Sequence, residues 1–184
     1  MEIIIQLITW SSSSELEFNS SSSSIVSLLI RHLSKVFRDI ASINNSSLQP
    51  SSSSSFQSSA VTMPPTYLCD KFRKQWISPR ILDWLLQSNN LDSNTKVLAI
   101  CNFDAYSDEL NFVFGEAHLG GRVAAVYLPR LRDEFYVKKS DTKKLFEQRV
   151  IKEAVHELGH AFGLSHCENS KCVTHFSNSL QDTA

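Results

Sequence analysis

His156, Glu157, His160, Gly163 and His166 stand in the order H-E-x-x-H-x-x-G-x-x-H within the stretch VHELGHAFGLSHCENSKCVTHFS, residues 155–177. The chain has six histidines and four cysteines in all, and this segment collects His156, His160, His166, His175, Cys167 and Cys172. Two histidines four residues apart on a helix are separated by about 6 Å of rise and nearly a full turn, so both rings leave the same face. That spacing suits two nitrogens held at about 2.0–2.1 Å from one zinc. Glu157 follows the first histidine and is offset from the ligand line, within reach of a water on the metal without being a ligand. Gly163 falls where the helix can end in a left-handed residue, which glycine tolerates best. The chain would then turn back and bring His166 to the same ion. Three neutral imidazoles with an open fourth position are what a catalytic zinc needs and a closed structural site lacks. Glu168 is the alternative third ligand, and nothing places it better than His166.

The chemistry that follows is hydrolysis. Zinc lowers the pKa of a bound water from 15.7 to about 7 and polarises a carbonyl. Within the motif only Glu157 can act as general base, because the lone pairs of the histidines are occupied by metal. Taken singly, each histidine reads as an ordinary surface or hydrogen-bonded residue; the spacing of the set carries the metal reading.

These residues need a helix behind them. The run KLFEQRVIKEAVHELGHAFGL predicts one beginning near Lys143, capped by Ser140 or Asp141, with Phe146, Val150, Ala154, Leu158 and Phe162 on its buried face. Upstream, Ile3–Ile8 and KVLAIC (Lys96–Cys101) read as buried strands. NFVFGEA and RVAAVYL flank His118-Leu119-Gly120-Gly121 and read as two strands joined by a glycine-containing turn. IVSLLIRHLSKVF (Ile25–Phe37) has helical spacing, with His32 off the apolar stripe and on the surface. SPRILDWLLQS reads as a helix with Ser78 as N-cap and Pro79 at its first position. The tracts Ser11–Ser14, Ser20–Ser24 and Ser51–Ser55 carry no apolar surface to offset ordering entropy and read as loops. Strands early, a helix between them and a long helix late give a mixed α/β (α+β) fold.

With 184 residues and 42% apolar content, the chain has room for one domain with a real core. A net charge of −1 offers no electrostatic case for nucleic acid or for an acidic membrane surface. No run approaches the ~20 apolar residues that span a bilayer. The start Met1-Glu2, followed by a short apolar run, lacks the basic lead and longer apolar core of a secretory signal. The expectation is a cytoplasmic monomer. In that setting, the close pair Cys167 and Cys172 beside histidines suggests metal before disulfide.

HELGHAFGLSH resembles the metzincin signature of zinc peptidases. The continuation CENSKC…HFSNSL, with LNFVFGEA and GGRVAAVYLPRLR upstream, resembles the archaemetzincin family in particular. The likeness covers the C-terminal half of the chain; the serine-rich first third matches only in the order of its elements. It implies a zinc-dependent peptidase with a mixed, twisted sheet and a helix bearing His156, Glu157 and His160, with His166 as third ligand. It further implies a single domain over residues 1–184, in which residues 1–166 form an N-terminal subdomain and residues 167–184 a short C-terminal one. A strand Asn111–Glu116 would lie at the sheet edge above the metal and pair with a peptide or small-protein substrate. The plainer reading of that stretch is a core strand with alternating Phe112 and Phe114; Glu116 and His118 receive no role.

Two departures stand out. The family places a methionine two residues after the second cysteine, as an apolar floor under the metal; here the position is Thr174, smaller and with a hydroxyl that needs a partner. The family also holds a second zinc with four cysteines. Cys167 and Cys172 match two of them, and the further C-x-x-C has no counterpart in this sequence. They are candidates for an incomplete second zinc site, with His175 as a loose third ligand, or for free thiols or a disulfide. The leading hypothesis is therefore a zinc metallopeptidase. The alternative is a zinc-binding fold with weak or lost catalysis, acting as a peptide-binding or scaffold protein.

Overall fold

A computed structural model describes residues 2–8, 25–37, 55–108, 110–136 and 142–183, with residues 55–62 described in their backbone only. The serine tracts 11–14 and 20–24 and the proposed caps Ser140 and Asp141 lie outside the described residues, as does residues 51–54 of the third tract.

The elements run β1 (Glu2–Ile8), α1 (residues 25–37), β2 (Ser55–Thr62), β3 (Cys69–Asp70), β4 (Gln75–Ile77), α2 (Ser78–Ser88), β5 (Thr95–Cys101), β6 (Ala105–Tyr106), β7 (Gly115–Ala117), β8 (Val123–Tyr127) and α3 (Lys143–Ala161). Five strands form one sheet in the order β2-β1-β5-β8-β7, and β3-β4-β6 form a small second sheet. The first four strands of the large sheet pair in parallel, and β7 closes its edge antiparallel to β8. This is the mixed α/β sheet expected.

The sheet is covered on both faces, which explains why its central strands are unbroken apolar runs. In β5 and β8, Leu98, Ile100, Ala124 and Val126 join one core with α1 and α3; Val97, Ala99, Cys101, Val123, Ala125 and Tyr127 join another with α2 and the small sheet. Phe146, Val150, Ala154 and Leu158 of α3 lie in the first core, with Phe162 packed against it. No helix among the described residues is long and apolar enough to cross a membrane.

Four local expectations are corrected. Ser78 lies inside α2 and does not cap it: Ile77 takes the flanking position, and the Ser78 hydroxyl meets the buried Tyr127 hydroxyl at 2.7 Å. Thr142 caps α3, its Oγ1 accepting from the Leu145 N–H at 3.3 Å. Ser55, the last residue of the third serine tract, opens the strand β2 instead of lying in a loop; backbone pairing to β1 needs no apolar side chain. The edge strand occupies Gly115–Ala117 only. The Val113 N–H donates instead to Ala105 O of β6 at 3.1 Å, so residues 111–114 are drawn towards the small sheet.

Candidate metal centre

Helix α3 delivers His156, Glu157 and His160 from its last two turns. The helix ends at Ala161, and Gly163 adopts φ 90°, the left-handed conformation its position required. The Gly163 N–H donates to His160 O at 2.8 Å and the Leu164 N–H to Gly159 O at 3.0 Å, the paired bonds of a Schellman turn. That turn reverses the chain and returns His166 to the helix face.

The three histidines converge. His160 Nε2 lies 2.9 Å from His156 Nε2 and 3.2 Å from His166 Nε2. Ligands arranged tetrahedrally at about 2.0–2.1 Å from zinc stand about 3.3–3.4 Å apart, so the spacing is near that of a zinc site. The tautomers agree. A carbonyl can only accept, so His156 Nδ1–H donates to Val173 O at 2.8 Å and His160 Nδ1–H donates to Leu164 O at 2.7 Å. Both Nε2 atoms therefore carry lone pairs aimed at one point, an arrangement that repels unless a cation sits between them. Burial pushes His156 down to about 4 and lowers His166 as well, keeping both rings neutral as ligands must be.

Among the described residues, ligand atoms close enough for three to share an ion occur in this histidine group alone; all lie within 4.8 Å of one another. Glu168 is exposed and outside it. Cys167 and Cys172 stand as free thiols with no third donor gathered round them among the described residues, and His175 Nδ1–H donates to Cys167 O at 2.9 Å. His32 is part-buried on α1, its Nδ1 bonded to Leu28 O at 2.9 Å, away from the cluster.

Glu157 is 3% exposed, and its Oε2 has no hydrogen-bond partner among the described residues. Burial pushes its carboxyl well above the usual range, and the charges of Glu153, one turn earlier, and Glu116 add to the rise. Glu153 is raised by burial too. The two carboxyls stand one turn apart on the buried side of α3, beside the histidines.

Thr174 lies buried beneath the helix, its Cγ2 at 3.4 Å from where a Cβ on Gly159 would sit. The floor position is thus filled by a methyl group. The hydroxyl has the partner it requires: Cys172 Sγ at 3.2 Å. The same segment folds back through Cys167 N–H to Thr174 O at 3.0 Å, which puts Val173 O under His156.

A cleft of about 560 Å³ opens over the histidines, walled by Phe112, Gly115, Glu116 and Ala117 on one side and Phe176 and Asn178 on the other. The edge strand β7 presents its backbone to this cleft. Phe114 O accepts from Tyr127 N–H and Val123 O from His118 N–H, so Glu116 between them also faces β8. The amides of Gly115 and Ala117 are then directed off the edge.

Sequence reasoning singled out the three histidines that the structure brings together but missed what orients them. Val173 and Leu164 act through backbone carbonyls, which carry no side-chain signal. Lys96 was read only as the start of a strand; its Nζ donates to Gly121 O at 2.6 Å and Ala161 O at 2.8 Å, tying the 118–121 turn to the end of α3. The Gly120 N–H donates to His160 O at 2.8 Å from the same turn.

Comparison with known proteins agrees with this geometry. Residues 6–184 match peptidase family M54. An archaemetzincin of Pyrococcus abyssi is 50% identical over 112 residues, 60% of this chain and 58% of that protein. One from Pyrococcus horikoshii is 48% identical over 118 residues, 64% of this chain and 62% of that protein. The matched region thus spans about three fifths of the length of these relatives. Among solved structures, the archaemetzincin of Archaeoglobus fulgidus superposes with a TM-score of 0.71 at 31% identity, over 100% of this chain and 90% of that one. That of Methanopyrus kandleri gives 0.73 at 29% identity, over 99% and 85%. A three-histidine centre on a helix–turn, set beneath the edge of a mixed sheet, and a match over nearly the whole chain lead to one conclusion: the chain belongs to peptidase family M54.

Proposed function

We propose that the chain is a zinc metallopeptidase of the metzincin type that hydrolyses peptide bonds in peptides or small proteins. His156, His160 and His166 are its zinc ligands and Glu157 its general base. The observation that carries this is the convergence of the histidine Nε2 atoms, two of them held with the lone pair inward by carbonyls of Val173 and Leu164. A zinc held there supplies a Lewis acid that polarises the scissile carbonyl and brings the pKa of water to about 7.

The chain's own residues do the rest. The outward amides of Gly115 and Ala117 pair with an extended peptide and lay its backbone across the cleft. Glu157, which lines the cleft beside the histidines, takes the proton of the attacking water and passes it to the nitrogen of the leaving amine. Phe112 and Phe176 flank the cleft with apolar surface and limit bulk water around the reacting carbonyl.

The enzyme works as a cytoplasmic monomer in this reading, with residues 167–184 as a small subdomain that closes the floor of the site. Its near-neutral charge supports a partner other than nucleic acid. Cys172 braces Thr174 through its thiol and Cys167 through its backbone N–H, and the pair does not serve as a complete second zinc site. The experiment is elemental analysis after dialysis against a weak chelator, followed by screening of an unbiased peptide library. One zinc per chain and zinc-dependent cleavage are expected. A chain that holds no zinc would overturn the ligand assignment, and a zinc-loaded chain that cleaves nothing would favour the non-catalytic, peptide-binding alternative.

A further inference from the structure

Gly115 has no conformational need to be glycine. Its φ lies outside the left-handed region, where among the described glycines only Gly120 and Gly163 are found. It pairs with Val126 in a regular antiparallel register, a position any residue can adopt. What it lacks is room. A Cβ built on Gly115 would fall 2.5 Å from Glu157 Cγ, 2.6 Å from Oε1 and 2.8 Å from Cδ. Real side chains do not approach so closely, and Glu157 is almost wholly buried, so it cannot simply swing into solvent.

The surroundings explain the contact. Cross-strand partners share a face of the sheet, so Gly115 and Ala117 lie on the side of Val126 and Ala124, which is the side that α3 covers. Towards the helix, then, the edge strand shows only a hydrogen and a methyl group. That lets Glu157 lie flat against its backbone. The amide of this same residue is directed off the edge into the cleft, where an incoming strand would sit about 4.7–4.9 Å away.

We infer that Gly115 is a positioning residue for Glu157: its missing side chain sets the rotamer of the general base and places that carboxylate one strand spacing from the substrate backbone. The inference takes the role of Glu157 from the proposed function, but the steric part stands apart from activity.

The test is a double-mutant cycle with Gly115→Ala and Glu157→Ala, read first by thermal unfolding of the zinc-loaded chain. Gly115→Ala should lower the midpoint by roughly 3–10 °C when Glu157 is present. In the Glu157→Ala background, where Cγ, Cδ and both oxygens are gone, the same change should be neutral or raise the midpoint, since alanine restricts the unfolded chain. An equal penalty in both backgrounds would mean that Gly115 serves the fold and not Glu157, and would overturn the inference. The second readout is turnover on a peptide that the parent cleaves: kcat should fall at least tenfold in Gly115→Ala, with KM changed less than about threefold and zinc content unchanged. Unaltered kcat would also overturn it. If the parent cleaves nothing, the proposed function fails while the stability cycle still decides the contact.

Discussion

The carbonyl of Leu164 accepts the Nδ1 proton of His160 at 2.7 Å. Leu164 is also the residue whose N–H closes the Schellman turn onto Gly159. Helix termination and ligand orientation are therefore one event: the turn that stops α3 holds the second histidine with its Nε2 lone pair facing the metal position, and hands the chain on to His166.

Gly163 makes that turn possible, and Gly163→Ala forces a Cβ into φ 90°. The left-handed conformation costs a non-glycine residue about 1–2 kcal/mol. The variant should unfold about 2–8 °C lower. Because the Leu164 carbonyl shifts with the turn, zinc affinity should drop about 10–100-fold, the usual effect of losing a ligand's outer hydrogen bond. Competition with a chromogenic chelator measures it; unchanged affinity would separate the turn from the ligand.

Glu157→Gln keeps the shape of the side chain and removes its ability to take a proton. Zinc content should stay at the parent value, since Glu157 is not among the grouped ligand atoms. Turnover should fall by about 10²–10⁴, the range that general base catalysis contributes. Stability should hold or rise, because the buried carboxyl no longer faces the charge of Glu153. Steady-state kinetics beside elemental analysis checks all three. A glutamine variant as active as the parent would sink the base assignment.

Thr174→Val exchanges the hydroxyl for a methyl group and keeps the branched shape under Gly159. It removes the partner of Cys172 Sγ at 3.2 Å, so a loss of about 0.5–1.5 kcal/mol is expected. Zinc should remain bound, because the contact to His156 comes from the backbone carbonyl of Val173 and not from this side chain. Chemical denaturation with a zinc assay tests the separation; loss of zinc would show that the hydroxyl reaches further than its bond.

Lys96→Met keeps the length of the side chain and removes the charge. The carbonyls of Gly121 and Ala161 then lose a charged donor at the negative end of α3. Hydrogen bonds to charged groups contribute about 1.5–3 kcal/mol, and a loss of that order is expected in urea unfolding. The 118–121 turn caps His160 through Gly120, so zinc affinity should weaken with it. A variant as stable as the parent would show that water replaces the ammonium at no cost.

The order H-E-x-x-H-x-x-G-x-x-H was enough to single out the three histidines that converge and the stop of the helix, because those features depend on local geometry: 3.6 residues per turn and a glycine that admits positive φ. Buried strands such as Thr95–Cys101 were legible for a similar reason, since a strand covered on both faces must be apolar throughout. The fold class followed from the order of these elements.

Other features were decided by contacts between distant segments. Ser78 looked like a cap until Tyr127, 49 residues away, took its hydroxyl. The strand expected over residues 111–116 shrank to Gly115–Ala117 because β6 captured Val113. Thr174 announced a hydroxyl without a partner, and the folded chain supplied Cys172. Gly115 gave no sign of its importance, since clearance for Glu157 arises only when the sheet edge packs on α3. Local spacing determined which residues could bind and activate; only tertiary packing decided what holds them in place, because a carbonyl, a gap or a backbone edge has no signature in the sequence.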